Sequence, residues 1–446
     1  MTGSQNEVAL TDRIGVGVLT RLIGRDLVDE VLAETGRVEQ RRRLLPARVV
    51  VYYVLALCLF LGDAYEEVMR KLVGGLQWLH GWDTAWQVPT ASALCQARQR
   101  LGEEPLRELF DRLARPMLPP GAGHGWCAGL RVMALDGVHL DLPDTADNVA
   151  EFGRSGNRVA DGPFPQARVV ALAECGSRAV VSAEIGPCHA GERELVAGLL
   201  DRIDDSMLVL ADRGFYGYQF WQQVRATGAQ LLWRITTQTD LPVQESLPDG
   251  SYRSSLAPAH WRSDIKRGKR RRIDRYEIPV RVVDYTITNR GTGPAGGAGR
   301  SETIRLVTSI LDPQLAPAAE LAALYHQRWE IEIALDELQT HQMGRPRVLR
   351  SRSPQLARQE IWALLLTHYA IRHLMFEAAD DIGVDLRPGL IPAQLADHPP
   401  PSHRPSGVFP PADSPGRSRP RSVKSSSDST RPVDIAAAPA PSNAAD

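Results

Sequence analysis

The order of apolar segments constrains the fold of this chain more than any other feature. Up to about Leu118 the apolar residues recur with helical spacing, and the Pro- and Gly-rich residues 116–125 read as a linker. Short apolar runs typical of buried strands follow, first three in succession and then two that alternate with helical segments. This order predicts an α/β fold with a mixed sheet flanked by helices, preceded by an all-α domain.

The predicted segments give domain boundaries. The strands are expected at Arg131–Asp136, Ala167–Cys175, Ala179–Ile185, Ser206–Ala211 and Gln230–Thr236. The helices of this part are expected at Gly191–Ile203, Tyr218–Thr227, Pro317–Gln342 and Pro354–Ala379. We therefore divide the chain into a helical domain (1–125), an α/β domain (126–385) with an insertion (237–303), and a Pro-, Ser- and Arg-rich tail (386–446) that is expected to be disordered.

Composition excludes several classes of protein. The formal net charge of the 446 residues is −1, so any nucleic-acid contact must come from local basic patches. The five cysteines are scattered and form no Cys-x-x-Cys pair, which fits buried thiols in a reducing cytoplasm and argues against structural zinc. The most apolar segment, residues 49–62, is shorter than the roughly 20 residues of a membrane span. We expect a cytoplasmic protein without a membrane partner.

Three acidic residues form a candidate metal site. Asp136 and Asp212 each stand at the end of a strand-like run, and Glu332 shares a helical stripe with Tyr325 and Arg328. Carboxylates at the ends of adjacent strands can point into one crevice, and such hard oxygen ligands suit Mg²⁺ or Mn²⁺. Two ions about 4 Å apart could then assist phosphoryl transfer. Taken singly, Asp136 could be a turn residue before Gly137, and Asp212 could cap the next helix.

Three motifs in this order resemble a known family. The first is ALDGVHLDLPDTADN around Asp136, and the second is LADRGFYGYQFW around Asp212. The third is Tyr325, Arg328 and Glu332, spaced as in the family signature Tyr-x2-Arg-x3-Glu-x6-Lys. Over about residues 8 to 380 the chain resembles a DDE-type bacterial insertion-sequence transposase of the IS-four group, whose catalytic core is RNase H-like.

The resemblance implies an activity and its partners. Asp136, Asp212 and Glu332 would be the metal-binding catalytic triad, holding two Mg²⁺ or Mn²⁺ ions. The substrate would be double-stranded DNA, comprising the terminal inverted repeats of the mobile element and the target DNA, with the protein acting as a homodimer. The N-terminal domain would bind the ends of the element, and the insertion would be β-rich. Some relatives cut through a DNA hairpin.

The resemblance also assigns DNA contacts. Tyr325 and Arg328 would hold phosphate near the scissile end, as guanidinium and phenol groups can. Gln339 stands where the family has lysine, which predicts DNA binding that is weaker and less salt-sensitive by about one ionic contact. The remaining expected contacts are Arg345 and Arg350 after the catalytic helix, and Lys269 and Arg271 in the basic run of residues 266–272. A solvated basic surface is the alternative for this run.

Smaller candidates and other functions remain open at this stage. Arg98 and Arg100 lie on an N-terminal helix, where they could contact DNA or simply face solvent, and Trp233 is expected to pack in the core. The tail departs from the pattern of relatives, which motivates an alternative function as a catalytically impaired DNA-binding relict. A nuclease of the same fold that lacks the joining step is a further possibility.

Overall fold

The computed structural model of the chain describes residues 17, 19–39, 45–80, 87–156, 161–258, 261, 267–268, 277–289, 300–338, 348–381 and 436–437. The predicted disordered tail thus lies outside the described residues, except for Ala436–Ala437, which pair with Tyr285 and Thr286. The same holds for Lys269, Arg271, Gln339 and Arg345.

The N-terminal part is helical, as predicted. Its helices are α1 (Arg25–Glu34), α2 (Ala47–Leu59), α3 (Tyr65–His80), α4 (Ala91–Leu101) and α5 (Glu104–Leu113). Thr90 begins α4, because its hydroxyl accepts a hydrogen bond from the Ala93 amide at 3.3 Å, and Gly102 ends it with a φ of 76°. The long helix α11 (Pro354–Asp381) packs against α2 and α5, so the helical part shares a core with the rest of the chain.

The remaining described elements form an α/β assembly. Its helices are α6 (Ala146–Phe152), α7 (Glu192–Val196), α8 (Tyr218–Arg225), α9 (Ala318–Tyr325) and α10 (Trp329–Glu337). Its strands are β1 (Trp126–Cys127), β2 (Leu130–Asp141), β3 (Arg154–Gly156), β4 (Asp161–Glu174), β5 (Val180–Pro187), β6 (Met207–Ala211), β7 (Gln230–Ile235), β8 (Glu245–Ser246), β9 (Tyr252–Leu256), β10 (Ile278–Asn289), β11 (Arg300–Thr308) and β12 (Ala436–Ala437). All twelve belong to one sheet.

The strand order confirms the predicted mixed sheet. β5, β4 and β2 pair antiparallel as a meander, and β2, β6 and β7 then pair parallel. The parallel strands are buried on both faces, which explains their continuous apolar sequences. The insertion continues the same sheet, because β11 pairs antiparallel with β7 and is followed by β10, β9 and β8.

The extents of two long strands, β4 and β2, were predicted wrongly. β4 begins at Asp161, well before the predicted Ala167. Asp136 does not end its strand, since β2 continues to Asp141. The continuation has a partner, because β4 pairs antiparallel with β2 as far as Asp141 opposite Gln166. The parallel partner β6 ends earlier, at Ala211 opposite Leu135. Asp136 is therefore the first residue of β2 beyond its parallel neighbour, which leaves an opening on that side.

The helix carrying Glu332 has an interruption. A three-ten turn, His326–Arg328, separates α9 from α10, and the end of the predicted segment, 339–342, lies outside the described residues. The predicted apolar face is buried at Leu321, Leu324, Ile331, Leu335 and Leu338. The apolar N-terminal segment forms the buried helix α2, and among the described residues no helix is long and apolar enough to cross a membrane.

Candidate metal centre

The two aspartates occupy equivalent positions on neighbouring parallel strands. Leu135 of β2 pairs with Ala211, the last residue of β6, and Asp136 and Asp212 are the residues that follow this pair in the two segments. The amide of Gly137 donates a hydrogen bond to Asp136 Oδ1 at 2.8 Å. Asp212 Oδ1 is buried, and within the described part of the chain it has no hydrogen-bond partner. The parallel register thus brings together the two acids that the sequence singled out.

Arg328 joins this strand edge to the helix. Its side chain is only 5% exposed, and its guanidinium donates from Nη1 to Asp136 Oδ2 at 3.4 Å and from Nη2 to Glu332 Oε1 at 2.6 Å. Tyr325 lies beside it, with its ring centroid 5.7 Å from the guanidinium carbon, and its hydroxyl donates to the Ala211 carbonyl at 3.3 Å. The predicted stripe of Tyr325, Arg328 and Glu332 therefore contacts both strands.

Electrostatics favour a cation at this position. The pKa of Asp136 is raised to about 6, mainly by burial and to a smaller extent by the nearby acids Glu332 and Glu192, against the lowering effects of the Gly137 amide and Arg328. Burial also disfavours the charged guanidinium of Arg328, but Tyr325 and the two carboxylates hold its pKa above the usual value. The site contains more negative charge than Arg328 alone can neutralise.

Two other acids of α10 serve the fold. Glu330 is 5% exposed and accepts a hydrogen bond from the amide of Gly176. Glu337 pairs with Arg372 and with Arg178. Both carboxylates are thus engaged inside the protein, which supports the choice of Glu332 as the acid that faces the two strands.

Two further side chains were missed by the sequence predictions. Trp329 directly follows Arg328 in the sequence, and its large ring is 58% exposed. The sequence could have indicated this exposure, because Trp329 lies outside the apolar stripe of α10. Glu192 begins α7, and its carboxylate reaches the glycines that follow the two aspartates. No local pattern indicated this contact, because it depends on packing between distant segments.

Two of the arginines that the sequence offered as DNA contacts are engaged inside the fold. The guanidinium of Arg350, an expected DNA contact, lies 4.5 Å from the Tyr65 ring centroid and donates to the Asp63 carbonyl at 2.6 Å. Arg98 is 1% exposed and donates to Gln359 at 2.9 Å, so both readings of it as a DNA contact or a solvent-facing residue were wrong. Trp233 is fully buried, which confirms its predicted place in the core.

Comparison with known proteins identifies the class. Residues 13–111 match the family described as "Insertion element 4 transposase N-terminal", and residues 128–369 match the "Transposase DDE domain". Over 360 residues the chain is 30% identical to transposase InsG for insertion sequence element IS4 of Escherichia coli (strain K12), covering 80% of this chain and 76% of InsG. It is 25% identical over 209 residues to the putative transposase InsZ of the same organism, covering 47% of this chain and 67% of InsZ.

A solved structure also resembles the chain. The piggyBac transposase in a synaptic complex with hairpin DNA aligns with a TM-score of 0.43 and 9% identity, covering 86% of this chain and 79% of that one. The DDE domain match alone spans more than half of the 446 residues. The chain therefore belongs to the IS4 family of DDE transposases.

Family membership confirms the main expectations from the sequence. The mixed sheet with flanking helices is an RNase H-like core, and the protein is a transposase, an enzyme that cleaves and transfers DNA strands. Membership of the DDE class also implies dependence on divalent metal in general. Both relatives are named as transposases, and neither match favours an impaired relict.

Proposed function

We propose that Asp136, Asp212 and Glu332 bind divalent metal ions, and that DNA strands are cleaved and joined at this centre. The observation that best supports this proposal is the arrangement of side chains around Arg328. Its guanidinium joins Asp136 to Glu332, while Asp212, which directly follows the end of the neighbouring strand β6, keeps a buried oxygen that has no partner among the described residues. Two of the three acids thus contact a buried positive charge, and the third directly follows the end of the neighbouring strand.

The residues fit a hard cation. As they are placed, no group of three His, Cys, Asp or Glu side chains within the described ranges is close enough to hold an ion together. The guanidinium lies between two of the proposed ligands, and the unpartnered oxygen of Asp212 can accept a further positive charge. Carboxylate oxygens suit Mg²⁺ or Mn²⁺, and we propose two ions. When bound, they would activate the attacking oxygen and stabilise the leaving oxygen.

Side chains of the catalytic helix would hold the DNA strand. Once a cation neutralises Asp136 and Glu332, Arg328 can turn its two parallel N–H donors to a phosphate. Tyr325 is 4% exposed and bound to the β6 backbone, so in this conformation it positions Arg328 and does not reach the surface. Trp329 offers an exposed ring on which a base can stack.

The proposed DNA partners are the terminal inverted repeats of the protein's own element and the target DNA, bound by a homodimer. The similarity to a transposase named for a single insertion sequence supports an element-specific substrate. The proposed location is the bacterial cytoplasm, on the nucleoid when bound to DNA. All five cysteines are free and four of them are buried, which suits a reducing compartment.

Nicking and joining of a plasmid test the proposal. The substrate is a supercoiled plasmid carrying the DNA that flanks the gene on both sides, incubated with full-length protein and Mg²⁺. Asp136→Asn, Asp212→Asn and Glu332→Gln should each abolish nicking and strand transfer but keep the mobility shift on the same DNA. Asp201→Asn, at an exposed acid of the same domain, serves as the control.

Other results of the plasmid assay would support other conclusions. If any triad variant nicks at the rate of the control, the proposed centre is wrong. If the unchanged protein shifts the DNA but never nicks it, the relict function is favoured. If it nicks but forms no joined product, the protein acts as a nuclease without the strand-transfer step.

A further inference from the structure

Glu192 lies between the two segments that carry the catalytic aspartates. Its Oε1 is 3.1 Å from the position that a Cβ atom would take at Gly137, the residue after Asp136. Its Oε2 is 3.1 Å from the corresponding position at Gly214, two residues after Asp212. One carboxylate therefore faces both segments, with one oxygen toward each.

The two glycines make this approach possible. Neither has a positive φ, so their backbone conformation is open to any residue. What they provide is space, because a side chain at either position would come closer to the carboxylate than ordinary van der Waals contact allows. A glycine after the first aspartate and another close after the second thus leave room for the same carboxylate.

Packing of α7 fixes this placement. The helix lies against β4 and β5 and against the three-ten turn Arg213–Phe215 that follows Asp212. Glu192 is its first residue and therefore projects from the end nearest the crevice. Its side chain is 30% exposed, which leaves an opening to solvent.

A structural ion pair does not account for Glu192. Within the described ranges, the cation in ion-pair distance is Arg168, with its Nη1 at 3.9 Å. The closer contacts of that guanidinium are His139 Nε2 at 3.0 Å and the Ala190 carbonyl at 3.0 Å.

We propose that Glu192 is a fourth carboxylate of the metal centre, facing a divalent ion held on the Asp136–Asp212 side. Three features support this: the position of its carboxylate, the space left by Gly137 and Gly214, and the buried oxygen of Asp212, two residues before Gly214, which has no partner among the described residues. Arg328 lies between Asp136 and Glu332. Glu192 would then serve the Asp136–Asp212 side of the site, and Glu332 would serve the side near Arg328. The inference rests on the proposed metal centre.

Direct measurement of metal binding tests it without activity. Full-length protein without DNA is titrated with Mn²⁺, and free Mn²⁺ is measured by electron paramagnetic resonance. Glu192→Gln should weaken Mn²⁺ binding by about tenfold or more, the usual effect of losing a group that shapes a metal site. Glu192→Asp, which keeps the charge on a shorter arm, should show a smaller loss.

Two controls separate the possible failures. Glu194→Gln changes an exposed acid in the same first turn of α7, so it carries the same helix-dipole effect and should leave Mn²⁺ affinity unchanged. Asp136→Asn should weaken binding at least as much as Glu192→Gln. If Asp136→Asn weakens binding and Glu192→Gln matches Glu194→Gln, the role of Glu192 is wrong and the metal centre stands. If Asp136→Asn has no effect, the metal centre itself is wrong.

Discussion

The two ends of helix α10 carry acids in opposite electrostatic surroundings. At its C-terminal end, Glu337 is contacted by Arg372 and Arg178, and Nε2 of His368 lies 3.8 Å from Oε2 of Glu337. Burial alone would raise the pKa of Glu337, but His368 and Arg372 lower it to about 2. Near its start, Glu332 and Asp136 share the single guanidinium of Arg328, and the pKa of Asp136 is raised to about 6.

This difference distinguishes a cluster that stabilises the fold from the proposed metal centre. Around Glu337 the positive charges outnumber the acid, so its negative charge is satisfied within the fold. Around Asp136 the acids outnumber the arginine, and burying like charges together costs free energy unless another cation neutralises them. An excess of buried negative charge next to a strand edge therefore indicates an external positive ligand, which family membership independently implies.

The largest effect should come from removing the charge of Glu332, the acid near the start of α10. Glu332→Gln should lower plasmid nicking by roughly 1,000-fold, since loss of a metal ligand removes several kcal/mol of transition-state stabilisation. The melting temperature should stay close to that of the unchanged protein, because Glu332 is partly exposed. Nicking rates and thermal unfolding, measured on the same preparations, check this.

Glu337→Gln should lower the stability of the protein and leave its nicking activity nearly unchanged. Removing this acid leaves Arg372, which is 8% exposed, without its carboxylate, and the free energy of unfolding should fall by about 2 kcal/mol. The remaining folded protein should nick DNA at nearly the normal rate. Urea titration gives the stability. A variant that is stable but inactive would remove the distinction between the two ends of α10.

Acid should weaken the structural end. Because the folded pKa of Glu337 is lowered to about 2 from an ordinary value of 4.5, its stabilising contribution is complete above pH 4.5 and is lost as pH falls toward 2. The difference in unfolding free energy between the unchanged protein and Glu337→Gln should therefore shrink across this window. Urea titrations at several pH values measure it, and a constant difference would contradict the low pKa.

A smaller effect should follow from removing the shared cation. Arg328→Gln should strengthen Mn²⁺ binding in the absence of DNA by about fivefold, because one positive charge no longer competes for Asp136 and Glu332. The same variant should bind DNA more weakly, since a phosphate contact is lost. Weaker Mn²⁺ binding by this variant would show that the guanidinium supports the metal site and does not compete with it.

The smallest effect should come from the departure in the third motif. Gln339→Lys adds one cation where the family signature has lysine, so DNA binding should tighten and the slope of log K against log salt should steepen by about one ionic contact. Binding titrations at several salt concentrations measure this slope. An unchanged slope would mean that residue 339 does not contact phosphate.

The sequence predicted the sheet better than the surroundings of the site. Strands β6 and β7 were placed within one residue at each end, because central parallel strands are continuous apolar runs between turns. The extent of β2 was missed, since it depends on pairing with β4 and not on the Asp-Gly pair in its sequence. Glu192 and Arg98 were missed or misread for the same reason, because their contacts come from packing between segments far apart in the chain.

The most direct test of the metal centre is to map where a bound ion lies. Fe²⁺ is allowed to replace Mg²⁺ in the full-length protein, and ascorbate with peroxide then generates hydroxyl radicals that cut the chain near the ion. Mass spectrometry should find cuts near Asp136, Asp212 and Glu332, three segments far apart in sequence, and excess Mg²⁺ should suppress them. Cuts that cluster elsewhere, or that persist in Asp136→Asn, would contradict the account.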